Sequence, residues 1–478
     1  MFSGIVKLSR HTLIYGAGHI LARLVTFLLL PLYTNVFTRS DYGVISLAYT
    51  FIGFMIVILH YGLDSSLMKY YSPEGEEERK KYLSSAYVSY VITTAVFVLF
   101  FNLFRQPLSN IILGGNYPNF ISIISLILAF DLLWFIPMLI LRVEEKPTHY
   151  ISISFVNVIL SFSLNLLFVL KLELGIFGVL LSNLITSIFL FLVTFPYVLK
   201  RIQLSSVSIM RWKKMIRFGL PFLPSGIFAM IMELADRYIL KYMTDMETVG
   251  LYSAGYKLGM LMLLLVMGFN MGWQPFFLKT KSGEDRKTLF ARITTYVLTV
   301  MGFVWVLLII WIENIVQLNL GGITLYGSKY WESIVFVPWV ALGYFFFAAY
   351  SLQLPGVFLT EKTKWVAIVR AIGAGMNIGL NIILIHYIGA IGAAIATCLS
   401  FLVMSLALYT INQRIYPIHY EWSRLLRIIL FMVVVFFVLH TYDLSTIEKL
   451  ILSVSYPVGL FFTGFLNQGE RQRIFKKS

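Results

Sequence analysis

Nine ionisable side chains interrupt the long apolar runs of this sequence: Arg23, Arg237, Lys257, Arg292 and Arg370, and Asp64, Asp131, Glu233 and Asp236. A charge at the centre of a hydrocarbon layer costs about 2.5–3.5 kcal/mol on insertion scales, so each such residue faces protein or a water-filled cavity and is a functional candidate. Glu233, Asp236 and Arg237 are the densest group, spaced i, i+3, i+4. Glu233 and Arg237 share a helix face in the better acid-to-base orientation. That spacing suits a gate or a coupling-ion group, and equally a salt bridge that only neutralises itself. His19 and Arg23, four apart, offer a cationic patch on a cavity or a tie to a carboxylate or carbonyl of another helix. Arg370 is followed on the same run by Asn377 and Asn381, a polar stripe. Asp131 lies mid-run beside Trp134 and Pro137, where it either titrates or packs as a protonated carboxyl. Asp64 and Lys257 sit nearer the ends of their runs and either face a lumen or snorkel; Arg292 snorkels. Trp273 and Gln274, next to Pro275, are candidate substrate contacts among aromatics that otherwise belong to an interfacial belt.

The elements that carry these residues are set by composition. Of 478 residues, 59% are hydrophobic and 13% charged, and the mean hydropathy is +0.81. A soluble domain carries about 25% charged residues, so a bilayer must supply part of the solvent. Soluble enzymes and disulfide scaffolds are excluded, and the single Cys398 rules out a multi-cysteine metal site. No Walker A loop, HExxH or cysteine–histidine metal spacing occurs. The chain is expected not to be an enzyme and to carry no cofactor.

About 20 apolar residues cross the hydrocarbon core as a helix. Such runs predict an all-α integral membrane protein of about fourteen spans: Leu13–Phe37, Tyr42–Met68, Tyr82–Leu103, Phe120–Leu141, Tyr150–Leu170, Leu174–Val198, Gly219–Met243, Val249–Leu278, Leu289–Ile312, Trp331–Leu359, Trp365–His386, Gly389–Ile411, Leu425–Leu439 and Leu450–Leu466. Pro221 and Pro224 are expected to kink the seventh span. Alternate loops hold 27 and 6 lysines and arginines. The basic side is cytoplasmic by the positive-inside rule, which places both termini there. The net charge of +15 is thereby explained by topology, without nucleic acid.

The chain also aligns with itself. Gly43, Ser46 and Tyr49 match Gly250, Ser253 and Tyr256; Gly62, Lys69 and Ser72 match Gly272, Lys279 and Ser282. Later, Glu145, Lys146 and Asn165 match Glu361, Lys362 and Asn381, and Gly175 and Gly178 match Gly389 and Gly392. Two parallel six-helix lobes follow, residues 1–203 and 204–416, with two additional helices and a basic tail in 417–478. Binding sites lie between repeats of this kind in alternating-access transporters.

The stretch RFGLPFLPSGIFAMIMELADRYILKYMTDMETVGLYSAGYKL, Arg217 to Leu258, is similar to the start of the second lobe in Wzx-type polysaccharide flippases. PLYTNVFTRSDYGVISLAY, Pro31 to Tyr49, resembles the matching region of the first lobe. The resemblance spans essentially the whole chain and implies membership of the multidrug/oligosaccharidyl-lipid/polysaccharide (MOP) exporter superfamily. It implies transfer of a prenyl-diphosphate-linked oligosaccharide across the inner membrane, with proton or sodium coupling and polysaccharide-assembly proteins as possible partners. Arg23, Arg237 and Arg370 then become head-group candidates, since a bidentate guanidinium suits phosphate. Lys257, His19, Trp273 and Gln274 join them, and Asp64, Asp131, Glu233 and Asp236 become coupling or gating groups. A cation-coupled drug exporter of the same superfamily and a non-transporting membrane scaffold are the rival expectations.

Overall fold

The computed structural model describes residues 27–71, 75–280, 283–321 and 323–465. His19, Arg23 and most of the first expected span lie outside them. Helices account for nearly all of the described chain. In the first repeat they are α1 (Leu30–Val36), α2 (Arg39–His60), α3 (Leu63–Tyr71), α4 (Glu76–Leu103), α5 (Arg105–Leu113), α6 (Pro118–Val143), α7 (Pro147–Asn165) and α8 (Gly175–Leu199). A connecting helix α9 (Ile209–Gly219) leads to α10 (Leu223–Met243), α11 (Met246–Gly259), α12 (Leu261–Lys279) and α13 (Glu284–Val316). A two-residue hairpin, β1 (Asn319–Leu320) and β2 (Ile323–Thr324), follows. Then come α14 (Val337–Leu352), α15 (Leu354–Leu359), α16 (Lys364–Ile388), α17 (Ala390–Ile415), α18 (Trp422–Thr441) and α19 (Thr446–Phe462).

Twelve helical segments among the described residues are long and apolar enough to cross a membrane. The chain is therefore an all-α, multi-pass membrane protein. Three expected spans are not single helices. The run Tyr42–Met68 breaks at Tyr61 and Gly62, both with positive φ (32° and 78°). Gly62 meets the backbone of Gly219 there, so a Cβ on either would strike the other chain segment. The run Val249–Leu278 divides at Met260, and Trp331–Leu359 comprises a 3-10 stretch and two helices. Hydropathy averaged over a span is blind to these breaks because a few polar residues such as His60, Asp64 or Gln353 leave the mean apolar. Pro221 and Pro224 sit in the 3-10 turn and first turn that open α10, where proline's missing N–H is no loss. The α-helical ladder of the segment Ile209–Met243 is interrupted at these prolines, between α9 and α10.

The described helices pack into two units. The first comprises the chain to Ala254 with Tyr326–Tyr330 and Gly373–Ala393; the second comprises Gly255–Leu325, Trp331–Ile372 and the chain from Ala394 on. Packing thus groups α10 with the helices of the first repeat. Within the first unit, α9 is stapled to α3 and α4: Arg211 pairs with Glu78 at 2.7 Å, Trp212 Nε1 donates to Ser89 at 2.9 Å and Ser66 Oγ donates to the Met215 carbonyl at 2.6 Å.

The internal duplication is visible in the backbone. Glu145 and Glu361, matched in sequence, are both left-handed (φ 53° and 57°), as are Gly175 and Gly389 (58° and 65°). Asn165 Nδ2 donates to the Ser161 carbonyl and Asn381 Nδ2 to the Asn377 carbonyl, each at 2.8 Å and four residues back.

At the turn after α6, Glu144 gathers four side chains. Tyr71 donates to it at 3.0 Å, Lys146 at 2.8 Å and Tyr197 at short range. Arg201 binds both carboxylate oxygens at 3.1 and 3.3 Å and stacks on the Tyr197 ring at 3.7 Å. Partial burial pushes the Glu144 carboxyl up, but the donors from Lys146, Tyr197, Arg201 and Tyr71 outweigh it and bring its pKa to about 2. A depressed carboxylate stabilises the fold above its unfolded value of about 4.3, and that contribution is lost as pH falls toward the folded value. The protection of the turn joining α6 and α7 against hydrogen exchange, measured relative to the intrinsic rate at each pH, should fall as the pH falls from about 4.3 toward 2. In Glu144→Gln the turn should exchange faster at neutral pH and lose that acid step.

Candidate functional site

Helix α10 carries the densest expected charge cluster, and the structure buries most of it. Asp236 is 1% and Arg237 5% exposed. Arg237 Nη1 reaches Asp236 Oδ1 and the Glu233 carbonyl, both at 2.7 Å. The Tyr252 hydroxyl of α11 donates to Asp236 Oδ2 at 2.5 Å. Arg237 is thus held by its neighbour Asp236 as well as by the backbone of Glu233, the residue the sequence offered as its partner. Tyr252, which sequence reasoning did not single out, completes the group. Glu233 is half-buried.

The same part of the first unit holds contacts that pair equivalent positions of the two repeats. Ser46 Oγ donates to Ser253 Oγ at 2.6 Å, and these residues are 207 apart, the repeat offset. A Cβ on Gly43 would strike the Met246 carbonyl, and one on Gly250 would strike the Arg39 carbonyl. Gly43 and Gly250, and Arg39 and Met246, are related by that same offset. Contact of i with j together with j′ with i′ is what a two-fold relation produces. A local pseudo-two-fold axis therefore passes by Ser46 and Ser253. Farther along, Thr34 Oγ1 accepts from Gly327 N at 3.1 Å, and its repeat mate Lys241 donates to the Asn110 carbonyl at 3.2 Å. Arg39 Nε donates to the Lys329 carbonyl at 2.6 Å and Tyr330 to that of Thr38 at 2.7 Å. The matched Gly43, Ser46, Gly250 and Ser253 were legible as a repeat, but not as mutual contacts.

Asp131 lies at the middle of α6. Its Oδ1 accepts from Trp134 Nε1 at 2.9 Å and from Ser187 Oγ of α8 at 2.6 Å. Asp64 opens α3 within electrostatic reach of His60, whose ring lies 4.2 Å from that of Phe135.

In the second unit, Trp273 is 3% exposed. Its ring packs against Phe269, Phe276, Phe277 and Phe290 at 5.4–5.9 Å. This is aromatic core packing, whereas Gln274 on the next residue is exposed. Lys257 and Arg370 are half-buried, the latter within electrostatic reach of Tyr350. Asn377 and Asn381, in the first unit, are fully buried. No group of three or more His, Cys, Asp or Glu side chains placed to hold a metal occurs among the described residues.

The second unit also contains an apolar groove of about 350 Å³. Trp305, Pro338, Trp339, Leu342, Phe345, Phe346, Ile429, Met432, Val433, Phe436 and Phe437 line it. A smaller pocket of about 140 Å³ shares Phe345, Phe346 and Ile429 and extends to Tyr420 and Trp422. Sequence inspection missed this groove, since its walls come from α13, α14 and α18.

Comparison with known proteins agrees with this architecture. Among solved structures, the chain is similar to a lipid II flippase, MurJ, in an inward closed conformation: TM-score 0.76, 18% identity, over 94% of this chain and 98% of that one. It is also similar to an inward-facing multidrug resistance MATE family transporter of the MOP superfamily, with TM-score 0.62 and 12% identity over 82% and 93%. A MATE structure in the straight conformation gives 0.59 and 15% over 86% and 95%. These likenesses show the fold. No curated protein matches the sequence. The model of the family described as polysaccharide biosynthesis protein matches residues 8–281, more than half of the chain, so this multi-pass protein with the MOP exporter fold belongs to that family.

Proposed function

We propose that the chain is a flippase that carries a prenyl-diphosphate-linked oligosaccharide from the cytoplasmic to the outer leaflet for cell-surface polysaccharide synthesis. It works by alternating access of the lobes 1–203 and 204–416, with 417–478 as additional helices and tail, in a bacterial inner membrane with both termini cytoplasmic. The observation that carries this reading is the groove between α13, α14 and α18: its lining is wholly apolar and continues into a second pocket. A prenyl tail gains about 25 cal/mol per Å² buried against such a surface, whereas a small hydrophilic solute gains nothing there. The likeness to a lipid II flippase supports a lipid-linked substrate. Arg23, Arg237 and Arg370, with Lys257 and His19, attract the diphosphate end; Asp64, Glu233, Asp236 and Asp131 are the coupling and gating groups. The likeness to multidrug transporters gives the second reading, a cation-coupled exporter of small molecules.

The test is reconstitution in liposomes with a fluorescent prenyl-diphosphate oligosaccharide and an outer-leaflet quencher. Wild type should expose the label faster than empty liposomes. Val433→Trp fills the groove from an exposed position, and at about 1–3 kcal/mol for overpacking should slow translocation roughly tenfold. Equal rates with and without protein would reject the flippase. Normal rates in Val433→Trp would take the tail out of the groove.

A further inference from the structure

Of the four acids within the apolar runs, Asp131 differs in what surrounds it. Asp236 has Arg237 against it at 2.7 Å, and Asp64 lies at the start of α3 with His60 nearby. Asp131 sits at the middle of a 26-residue helix. It is held across to the middle of α8 by Ser187, and no ion pair to it occurs among the described residues. Both donors, an indole N–H and a hydroxyl, converge on Oδ1, which leaves Oδ2 without a protein donor among the described residues. The group facing it from α2 is neutral: Tyr49, which comes close to Tyr33 and Asn183, Tyr33 being bonded in turn to Asn165 at 2.7 Å. One turn along α6, Phe135 packs against His60, with Tyr90 of α4 beside that ring at 6.2 Å and Asp64 within electrostatic reach of it. No lysine or arginine is paired with any of these side chains in the bonds seen here.

A mid-membrane carboxylate without a cation must acquire one. The donor set selects which. An indole N–H only donates, so Trp134 offers no ligand to a metal ion and takes up acceptor capacity of Oδ1. Oδ2, by contrast, takes a proton and becomes a neutral acid while Oδ1 keeps both hydrogen bonds as a carbonyl oxygen. We propose that Asp131 is a proton-binding site of the first packed unit, loaded and emptied at Oδ2 once per transport cycle, with Trp134 and Ser187 holding Oδ1. The reaction is a simple protonation, carboxylate plus H⁺ giving carboxylic acid, and needs no other reactant. The coupling role rests on the transport reading above; the proton site itself does not.

Infrared difference spectroscopy of the purified full chain in liposomes, between about pH 4 and pH 9, tests the site without substrate. A neutral-acid C=O band should titrate, vanish in Asp131→Asn, and be unchanged by replacing potassium with sodium. Ser187→Ala and Trp134→Phe keep the carboxyl and should shift the band's frequency, because each removes one hydrogen bond to the carbonyl oxygen. These two variants also serve if Asp131→Asn fails to fold. In the quencher assay, Asp131→Asn should abolish acceleration by a pH gradient. A band that survives in Asp131→Asn, one that ignores both Ser187→Ala and Trp134→Phe, or a sodium-dependent one would overturn the proposal. So would gradient-driven transport that is unchanged in Asp131→Asn. Absence of any transport in wild type would instead count against the flippase and leave the infrared result standing.

Discussion

Joining Ser46 to Ser253 by a disulfide, as Ser46→Cys/Ser253→Cys in a Cys398→Ser background, is expected to arrest transport reversibly. Their hydroxyl oxygens are 2.6 Å apart, so sulfurs placed there need little movement to bond. The pair lies beside the pseudo-two-fold axis, where Gly43 and Gly250 bring backbone against backbone. In an alternating-access cycle, contacts between the two repeats on one side must part while those on the other close. Arg39, Lys241 and Lys329, which flank this contact, belong to the sparsely basic side of the topology. The quencher assay should show a loss of about tenfold or more when oxidised, the conformational step becoming limiting, and recovery on reduction. Transport by the oxidised protein at the wild-type rate, with the crosslink verified by mass spectrometry, would show that these helices do not separate.

Arg237→Ala is expected to destabilise the protein by about 3–5 kcal/mol, the usual consequence of leaving one member of a buried ion pair behind. Asp236 would retain the Tyr252 hydroxyl and a backbone N–H, but no guanidinium. Adding Asp236→Asn should restore much of the loss, because the stranded charge is then gone. Denaturant unfolding in detergent, followed for wild type, both single variants and the double variant, gives the coupling directly. A double variant no more stable than Arg237→Ala would mean that Arg237 acts through its bond to the Glu233 carbonyl instead.

The site was partly legible. Charged residues stand out in apolar runs, so Asp131, Asp236 and Arg237 were found from residue type alone. Their partners were not. Ser187 and Tyr252 are ordinary residues at ordinary helical positions, and only the packing of α6 on α8, or of α10 on α11, gives them meaning. Trp273 shows the converse, since an aromatic beside a proline reads as a contact residue until four phenylalanines surround it.

By itself the sequence determined the solvent, the helical class and the duplication. Each of these is a property of local composition or of spacing along one chain: apolar length against bilayer thickness, and residues recurring at a near-constant offset. The left-handed Glu145 and Glu361 show how closely the two repeats keep their backbone course. Tertiary structure alone decided which acid meets an arginine and which meets an indole and a hydroxyl, where the helices break, and where an apolar groove opens. Those depend on which side chains meet across helices far apart in sequence. A face toward lipid and one toward a neighbouring helix both read as apolar on average, although the second is richer in small residues, so mean hydropathy does not separate them.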